Sequence, residues 1–190
     1  MMPRRAAAGL LLLALLAGCA SPTPTLFTLA AVPGPQRHIP SHSIELRRIG
    51  LAGYLDRPEI VSGETDYRLQ IAHNDRWGES LGSMLGRVIT EDLVERLPGA
   101  AVFTESGAIS TRPDLVLEID VQRFDTDATG RLVLLAQVAV RRADAREAAH
   151  AETLRLTGHP ASPATRDLVA AMSAALGELA DRIVGMLARA

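Results

Sequence analysis

Leu115-Val116-Leu117-Glu118-Ile119-Asp120-Val121-Gln122 decides how this 190-residue chain folds. Apolar side chains stand at 115, 117, 119 and 121, and polar ones at 118, 120 and 122. A period of two places successive side chains on opposite faces, so the segment is a strand with one buried face and one wet face. Asp125 to Gly130 then reads as a turn. Leu132, Leu134, Ala136, Val138 and Val140 return as a partner strand. Arg141 to Glu147 is a second polar turn. His150 to Thr157 supplies a third strand, with Leu154 and Leu156 facing inward. Three such runs joined by polar turns make an antiparallel meander.

Working outward, the chain after the meander reads as a long helix from Pro163 to Arg189. Ser162 stands at its N-cap and Pro163 at its first helical position. Leu168, Met172, Ala175, Leu176, Leu179, Ile183 and Met186 form its apolar stripe. Upstream, a second helix is expected over Asp75 to Leu97. Trp77, Leu81, Leu85, Val88 and Leu93 lie along one stripe, Asn74 caps the start, and Pro98-Gly99 ends it. Ala101 to Thr104 follows as a short strand. Nearer the N-terminus, strands are expected over Leu26 to Ala31, Ser43 to Leu51, Glu59 to Ser62 and Asp66 to Ala72. The last two flank a turn at Gly63, and the prolines of Val32 to His42 make that stretch a loop. The expected fold class is α+β, a largely antiparallel sheet with two main helices packed on one face.

The N-terminus reads separately. Arg4 and Arg5 precede an apolar run from Leu10 to Ala17, which ends at Leu16-Ala17-Gly18-Cys19. A basic start, a short apolar core and small residues before a cut site make a secretory signal peptide. The run is too short to span a bilayer, which takes about 20 residues. Leu-Ala-Gly-Cys resembles the bacterial lipobox, which implies cleavage before Cys19 and acylation of its thiol. The expected organisation is a signal peptide over 1–18, a lipidated Cys and Pro-containing tether over 19–25, and one domain over 26–190. Ala20 is not the Asp that retains lipoproteins in the inner membrane, so the expected location is the periplasmic leaflet of the outer membrane.

Composition narrows the function classes. Every one of the 20 basic residues is Arg. Removal of Arg4 and Arg5 leaves 18 Arg against 22 carboxylates, a net charge of −4. A mildly acidic chain without a basic cluster argues against nucleic-acid binding and against an electrostatic grip on anionic lipid. Cys19 is the only cysteine, so acylation leaves no thiol for a disulfide.

Catalytic and metal-binding patterns are weak. His38, His42, His73, His150 and His159 form no HExxH pair, and Pro40 stops a helix from aligning His38 with His42. Asp125-Thr126-Asp127-Ala128-Thr129-Gly130 resembles the start of a calcium loop. Its twelfth position is Ala136 instead of the bidentate Glu, so a solvated hairpin tip is expected. There is no Gly-rich phosphate loop, and Ser80, Ser83 and Ser106 have no evident His and Asp partners. The expectation is a non-enzyme with no catalytic residue, no metal and no cofactor.

Tyr54-Leu55-Asp56-Arg57-Pro58-Glu59-Ile60-Val61 is the most specific segment. It resembles the YLDRP-[EQ]-IV signature of the ABC-type transport auxiliary lipoprotein family, also called PqiC- or YmbA-like. Arg76-Trp77-Gly78-Glu79-Ser80-Leu81 is similar to that family's RW-A-E-P-L start, with Gly78 and Ser80 where Ala and Pro are common. Glu91-Asp92-Leu93, Arg96-Leu97-Pro98 and Leu26-Phe27-Thr28-Leu29 also resemble its pattern. The resemblance implies a non-catalytic lipoprotein of a lipid-trafficking system that maintains envelope integrity. Its implied partners are a periplasm-spanning MCE-domain protein and an ABC permease and ATPase, with homo-oligomerisation compatible. Other classes are a structural envelope lipoprotein that handles no lipid and a lipid-anchored periplasmic hydrolase.

The physics of that segment leaves its role open. Pro58 pushes Arg57 out of the helical region, so Asp56-Arg57-Pro58 is a bend. Asp56 is expected to accept from nearby amides, and Arg57 to pair with Asp56 or Glu59 or to offer a donor to a partner. Tyr54, Asp56, Arg57 and Glu59 are therefore candidate partner contacts. A structural turn stapled by Tyr54, or direct contact with lipid, are the other readings.

Overall fold

The computed structural model describes residues 23–65, 67–108, 111–147 and 150–190. The predicted signal peptide, Cys19 and the start of the tether lie outside the described residues. The strands, in chain order, are β1 (Thr25–Phe27), β2 (Ser43–Leu46), β3 (Gly50–Leu51), β4 (Glu59–Thr65), β5 (Arg68–Trp77), β6 (Ala101–Thr104), β7 (Leu115–Thr126), β8 (Leu132–Arg142) and β9 (His150–Gly158). The helices are α1 (Leu81–Arg96) and α2 (Thr165–Leu187).

The meander is β7, β8 and β9, paired antiparallel along their length. Leu115, Leu117, Ile119 and Val121 point into the core, while Glu118 and Asp120 stay exposed. The alternation changes phase at Gln122. Val121 lies opposite Ala136, but Arg123 lies opposite Leu135, so β7 carries one extra residue there. Such a bulge turns the following side chains over. Phe124 is therefore buried in the core, and Arg123 and Asp125 share the other face.

The free side of β7 is shared by three short parallel partners in succession. Leu115 to Leu117 meet β2, Asp120 and Val121 meet β3, and Thr126 meets Gly63 of β4. Beyond β2 lies β6, parallel; beyond β4 lie β5, antiparallel, and β1, parallel to β5. The long ladders are antiparallel, as expected, and the short outer ones are parallel. Both helices pack with the inner sheet face into one core. α1 contributes Leu81, Leu85, Val88 and Leu93, and α2 contributes Leu168, Met172, Leu176 and Leu179.

Several expected boundaries move. The first helix begins at Leu81 and not at Asp75, because Asp75 to Trp77 spend their backbone in the sheet beside β1. Trp77 N donates to Pro58 O at 2.8 Å, and Gly78 N donates to Phe27 O at 2.9 Å. Ser80 caps the helix, accepting from Ser83 N, while Asn74 instead donates to Thr23 O at 2.9 Å. Trp77 is buried as the stripe implied, but from the end of a strand. Gly63 lies inside β4 and is not a turn residue. The Ser43 to Leu51 strand splits in two, and the first strand stops at Phe27. The N-cap of α2 is Ala164. Ser162 still organises that end, because its hydroxyl accepts from Ala164 N and donates to Asp167. Gly99 takes φ +92° just after α1, where a side chain would be strained.

Candidate functional site: the bend, its groove and a buried arginine

The Tyr54 to Glu59 bend is tied down at both ends. Ala52 N donates to Val121 O, Leu55 N donates to Ala52 O, and the Pro58 carbonyl receives Trp77 N. Leu55 is buried in the core. Tyr54 reaches the bulged end of β7, where its hydroxyl donates to Asp125 Oδ2 at 2.6 Å. Arg123 Nε donates to the other oxygen, Oδ1, at 2.9 Å. Asp125 is thus a buried carboxylate with two partners on one face of the bulge. Burial, and then the bond to Asp125, push the Tyr54 hydroxyl well above the usual tyrosine range. It remains a protonated donor at any physiological pH.

The other candidates are placed differently. Asp56 is exposed, and no amide hydrogen-bonds to it among the described residues. Arg57 pairs with neither Asp56 nor Glu59. The Glu59 carboxylate sits across the β4–β5 ladder from Arg76, at 3.9 Å. Arg57 is half-buried, and its Nε is buried with no acceptor among the described residues. The bend therefore holds Tyr54 in a hydrogen-bonded structural role. It leaves Arg57 as a cation without a carboxylate partner among the described residues.

Beside Asp56 a groove of about 1180 Å³ opens between the first turns of α1 and the β2–β3 and β6 segments. Its α1 wall combines the small residues Gly82, Ser83, Gly86 and Thr90 with the ion-paired Arg87 and Glu91. Its opposite wall carries Arg47 and Glu105, which are ion-paired. Amide donation from Arg48, then the Arg47 guanidinium, hold the Glu105 carboxyl below the usual range. A shallower depression of about 750 Å³ lies on the wet sheet face around Glu118, Asp120 and Gln137.

The sequence reading assigned no role to one node, Asp92 with Arg96, although both stand in segments that resemble the family's pattern. Arg96 is 1% exposed, at the end of α1. Its Nε donates to Asp181 Oδ1 at 2.7 Å and its Nη2 to Gly177 O at 3.1 Å, both on α2. Its Nη1 donates to Val32 O at 2.9 Å and to Asp92 Oδ1 at 3.1 Å. Asp92, fully buried, also accepts from Val32 N at 2.9 Å. The guanidinium thereby fastens the loop after β1 to both helices. Gly34 is required there, because a Cβ would fall 2.3 Å from the guanidinium. Burial pushes the Asp92 carboxyl up, against the pull of Val32 N and Arg96.

The histidines are dispersed, and His150 Nε2 lies 3.0 Å from Arg189 O. At the β7–β8 turn, Asp127 Oδ1 accepts from Thr129 N at 2.9 Å and from Thr129 Oγ1 at 2.6 Å. The Thr129 hydroxyl is the main reason that the Asp127 carboxyl is held far below its usual range. This carboxylate closes its own turn and is not splayed for a cation. No group of three or more His, Cys, Asp or Glu that could hold a metal is present among the described residues. No helix among them is long and apolar enough to cross a membrane.

The sheet, the helix pair against one of its faces and the groove beside them define the class: a two-layer α+β domain. The chain belongs to the family of ABC-type transport auxiliary lipoprotein components, whose model matches residues 25–184. Its fold is similar to that of a crystallised uncharacterized protein, with TM-score 0.72 and 16% identity over 86% of this chain and 98% of that one. It is similar also to a DUF330 protein of Xanthomonas campestris, with TM-score 0.71 and 21% identity over 88% and 95%. A hypothetical protein of Chlamydia trachomatis is more distant, with TM-score 0.50 and 10% identity over 77% and 97%. At these identities the likeness is one of fold. No curated protein matches the sequence.

Proposed function

We propose that this chain is the outer-membrane-anchored, non-catalytic subunit of an ABC-linked lipid-trafficking system, and that it docks the end of a periplasm-spanning MCE-domain protein. The observation that carries the reading is the family match beginning at Thr25, six residues after Cys19. In this reading residues 1–18 are removed, Cys19 carries the acyl chains, and residues 19–25 tether a single domain. Each buried methylene contributes about 0.8 kcal/mol, so several acyl chains hold the protein on the bilayer durably. Ala20 leaves outer-membrane sorting unopposed. The docking surface is the bend and its groove. Arg57 offers a planar donor with no carboxylate partner among the described residues, and Asp56 lines the groove beside it. Several copies around one partner raise apparent affinity without new contacts.

Metabolic labelling with palmitate followed by density-gradient fractionation tests the anchor and its address. The wild type is expected to be labelled and to sediment with the outer membrane, and Cys19→Ser to be unlabelled and released or unprocessed. An unlabelled wild type, or one sedimenting with the inner membrane, contradicts the reading.

A further inference from the structure

β4 and β5 extend beyond the body of the sheet as a hairpin. The last contact of β4 with β7 is Gly63 opposite Thr126, the final residue of β7. Beyond it Arg68 and Leu69 are exposed, and so are Gln70, opposite Gly63, and Ile71, opposite Val61. Three of the largest exposed apolar side chains are gathered here. Tyr67 is 100% exposed, Leu69 42% and Ile71 43%. Leu26, on the neighbouring β1, is 65% exposed. Tyr67 also holds φ at +63°, a left-handed conformation unusual for a bulky residue. Scattered apolar side chains on a surface call for no explanation, but several on one projecting hairpin do.

The course of the tether says what covers them. β1 runs parallel to β5, with Thr25 opposite Asp75 and Phe27 opposite Trp77. The chain preceding Thr25 therefore comes from the side of Tyr67 and Arg68. The hydrogen bond from Asn74 to Thr23 O confirms that course within the described residues. Arg68 lies six residues before Asn74, about 20 Å along the strand. Cys19 lies four residues before Thr23, a reach of at most about 14 Å. The chain therefore enters β1 from the end at which the hairpin projects, and the residue read as lipidated is within that reach of Thr23.

We propose that the Tyr67–Ile71 hairpin is a membrane-contacting foot, which rests in the headgroup layer of the leaflet that holds the Cys19 acyl chains. This rests on the reading of Cys19 as lipidated. The chemistry sets the depth. Tyrosine favours the interface, where its ring is buried and its hydroxyl stays wet. Arg68 is exposed on the same hairpin, and a charged side chain is costly in hydrocarbon. Contact is therefore shallow. It directs the opposite end of the sheet, with the β8–β9 turn at Asp144, toward the periplasm. The groove at Gly50 stands about 20 Å up the sheet from Thr126, since Gly50 lies opposite Asp120.

The test uses the full lipidated chain in vesicles of phosphatidylethanolamine and phosphatidylglycerol. Mass spectrometry first reports whether Cys19 is acylated; an unmodified Cys19 overturns the anchor reading and the proposal with it. Tyr67→Cys and Asp144→Cys chains then carry an environment-sensitive fluorophore. The probe at position 67 is expected to emit at shorter wavelength and to lose most of its intensity to a headgroup-level spin-labelled lipid, while the probe at 144 is unaffected. An acylated chain whose probe at 67 stays in water overturns the foot and leaves the anchor standing. A probe at 67 that is dry but unquenched, in chains that cross-link to one another there, assigns the hairpin to a second copy and equally overturns it.

Discussion

Replacing Arg96 with methionine isolates the energetics of the buried node. Methionine fills most of the volume and removes the charge. Five acceptor atoms receive that guanidinium: Asp181 Oδ1, Asp92 Oδ1, Asp92 O, Val32 O and Gly177 O. Asp181 is 40% exposed and can return to water at little cost. Asp92 is fully buried and keeps only Val32 N, and its Oδ2 has no partner even in the wild type. An uncompensated buried charge costs about 3–5 kcal/mol. With a urea slope of about 2–3 kcal/mol/M, the unfolding midpoint should fall by about 1.5 M. The pH dependence carries a sign. The Asp92 carboxyl is already raised by burial, and losing Arg96 raises it further. A raised acid contributes stability that is present below its unfolded value and lost as pH rises through its folded one. The deficit of Arg96→Met should therefore be greatest at neutral pH and shrink as pH falls toward 4, the ordinary carboxylate range. Asp92→Asn added to Arg96→Met should recover part of the loss at neutral pH. A loss under about 1 kcal/mol, or a deficit independent of pH, refutes the reasoning.

Three other outcomes are expected. Trp77→Ala should cost about 3–5 kcal/mol in urea unfolding, and native emission of Trp77 should be that of a buried indole. Tyr54→Phe leaves Asp125 with Arg123 alone and should cost about 1–2 kcal/mol, without altering partner binding measured by pull-down. Replacing His38, His42, His73, His150 and His159 together with Gln should leave cellular function intact in a complementation assay; loss of function with an unchanged melting curve would reveal a catalytic site.

The meander, its turns and the closing helix were legible, because a half-wet sheet and an amphipathic helix impose their periods on the sequence. The extra residue at Gln122 was not, since a bulge leaves no mark in an alternation that ends in polar residues. Trp77 misled for a physical reason. It precedes Leu81 and Leu85 at helical spacing, yet its backbone is claimed by β1 and Pro58, which are distant in sequence. The arginine node was hidden the same way. Asp92 and Arg96 look like an exposed pair four apart on a helix. The available signal was their position in line with Leu81, Leu85 and Val88. What buries them, Val32 and Gly177, lies about 60 and 80 residues away. At the bend, Pro58 announced the turn, but no spacing could pair Tyr54 with Asp125 or draw Glu59 away from Arg57 toward Arg76.

The most direct test of the account is co-purification of the lipidated chain with a periplasm-spanning MCE-domain protein from the same cell, alongside Arg57→Ala and Asp144→Ala. The account predicts that the wild type and Asp144→Ala retain the partner, and that Arg57→Ala loses about tenfold or more in affinity, the scale of a charged anchor. Failure of a correctly folded, acylated wild type to bind any MCE-domain protein, even at high concentration, contradicts it.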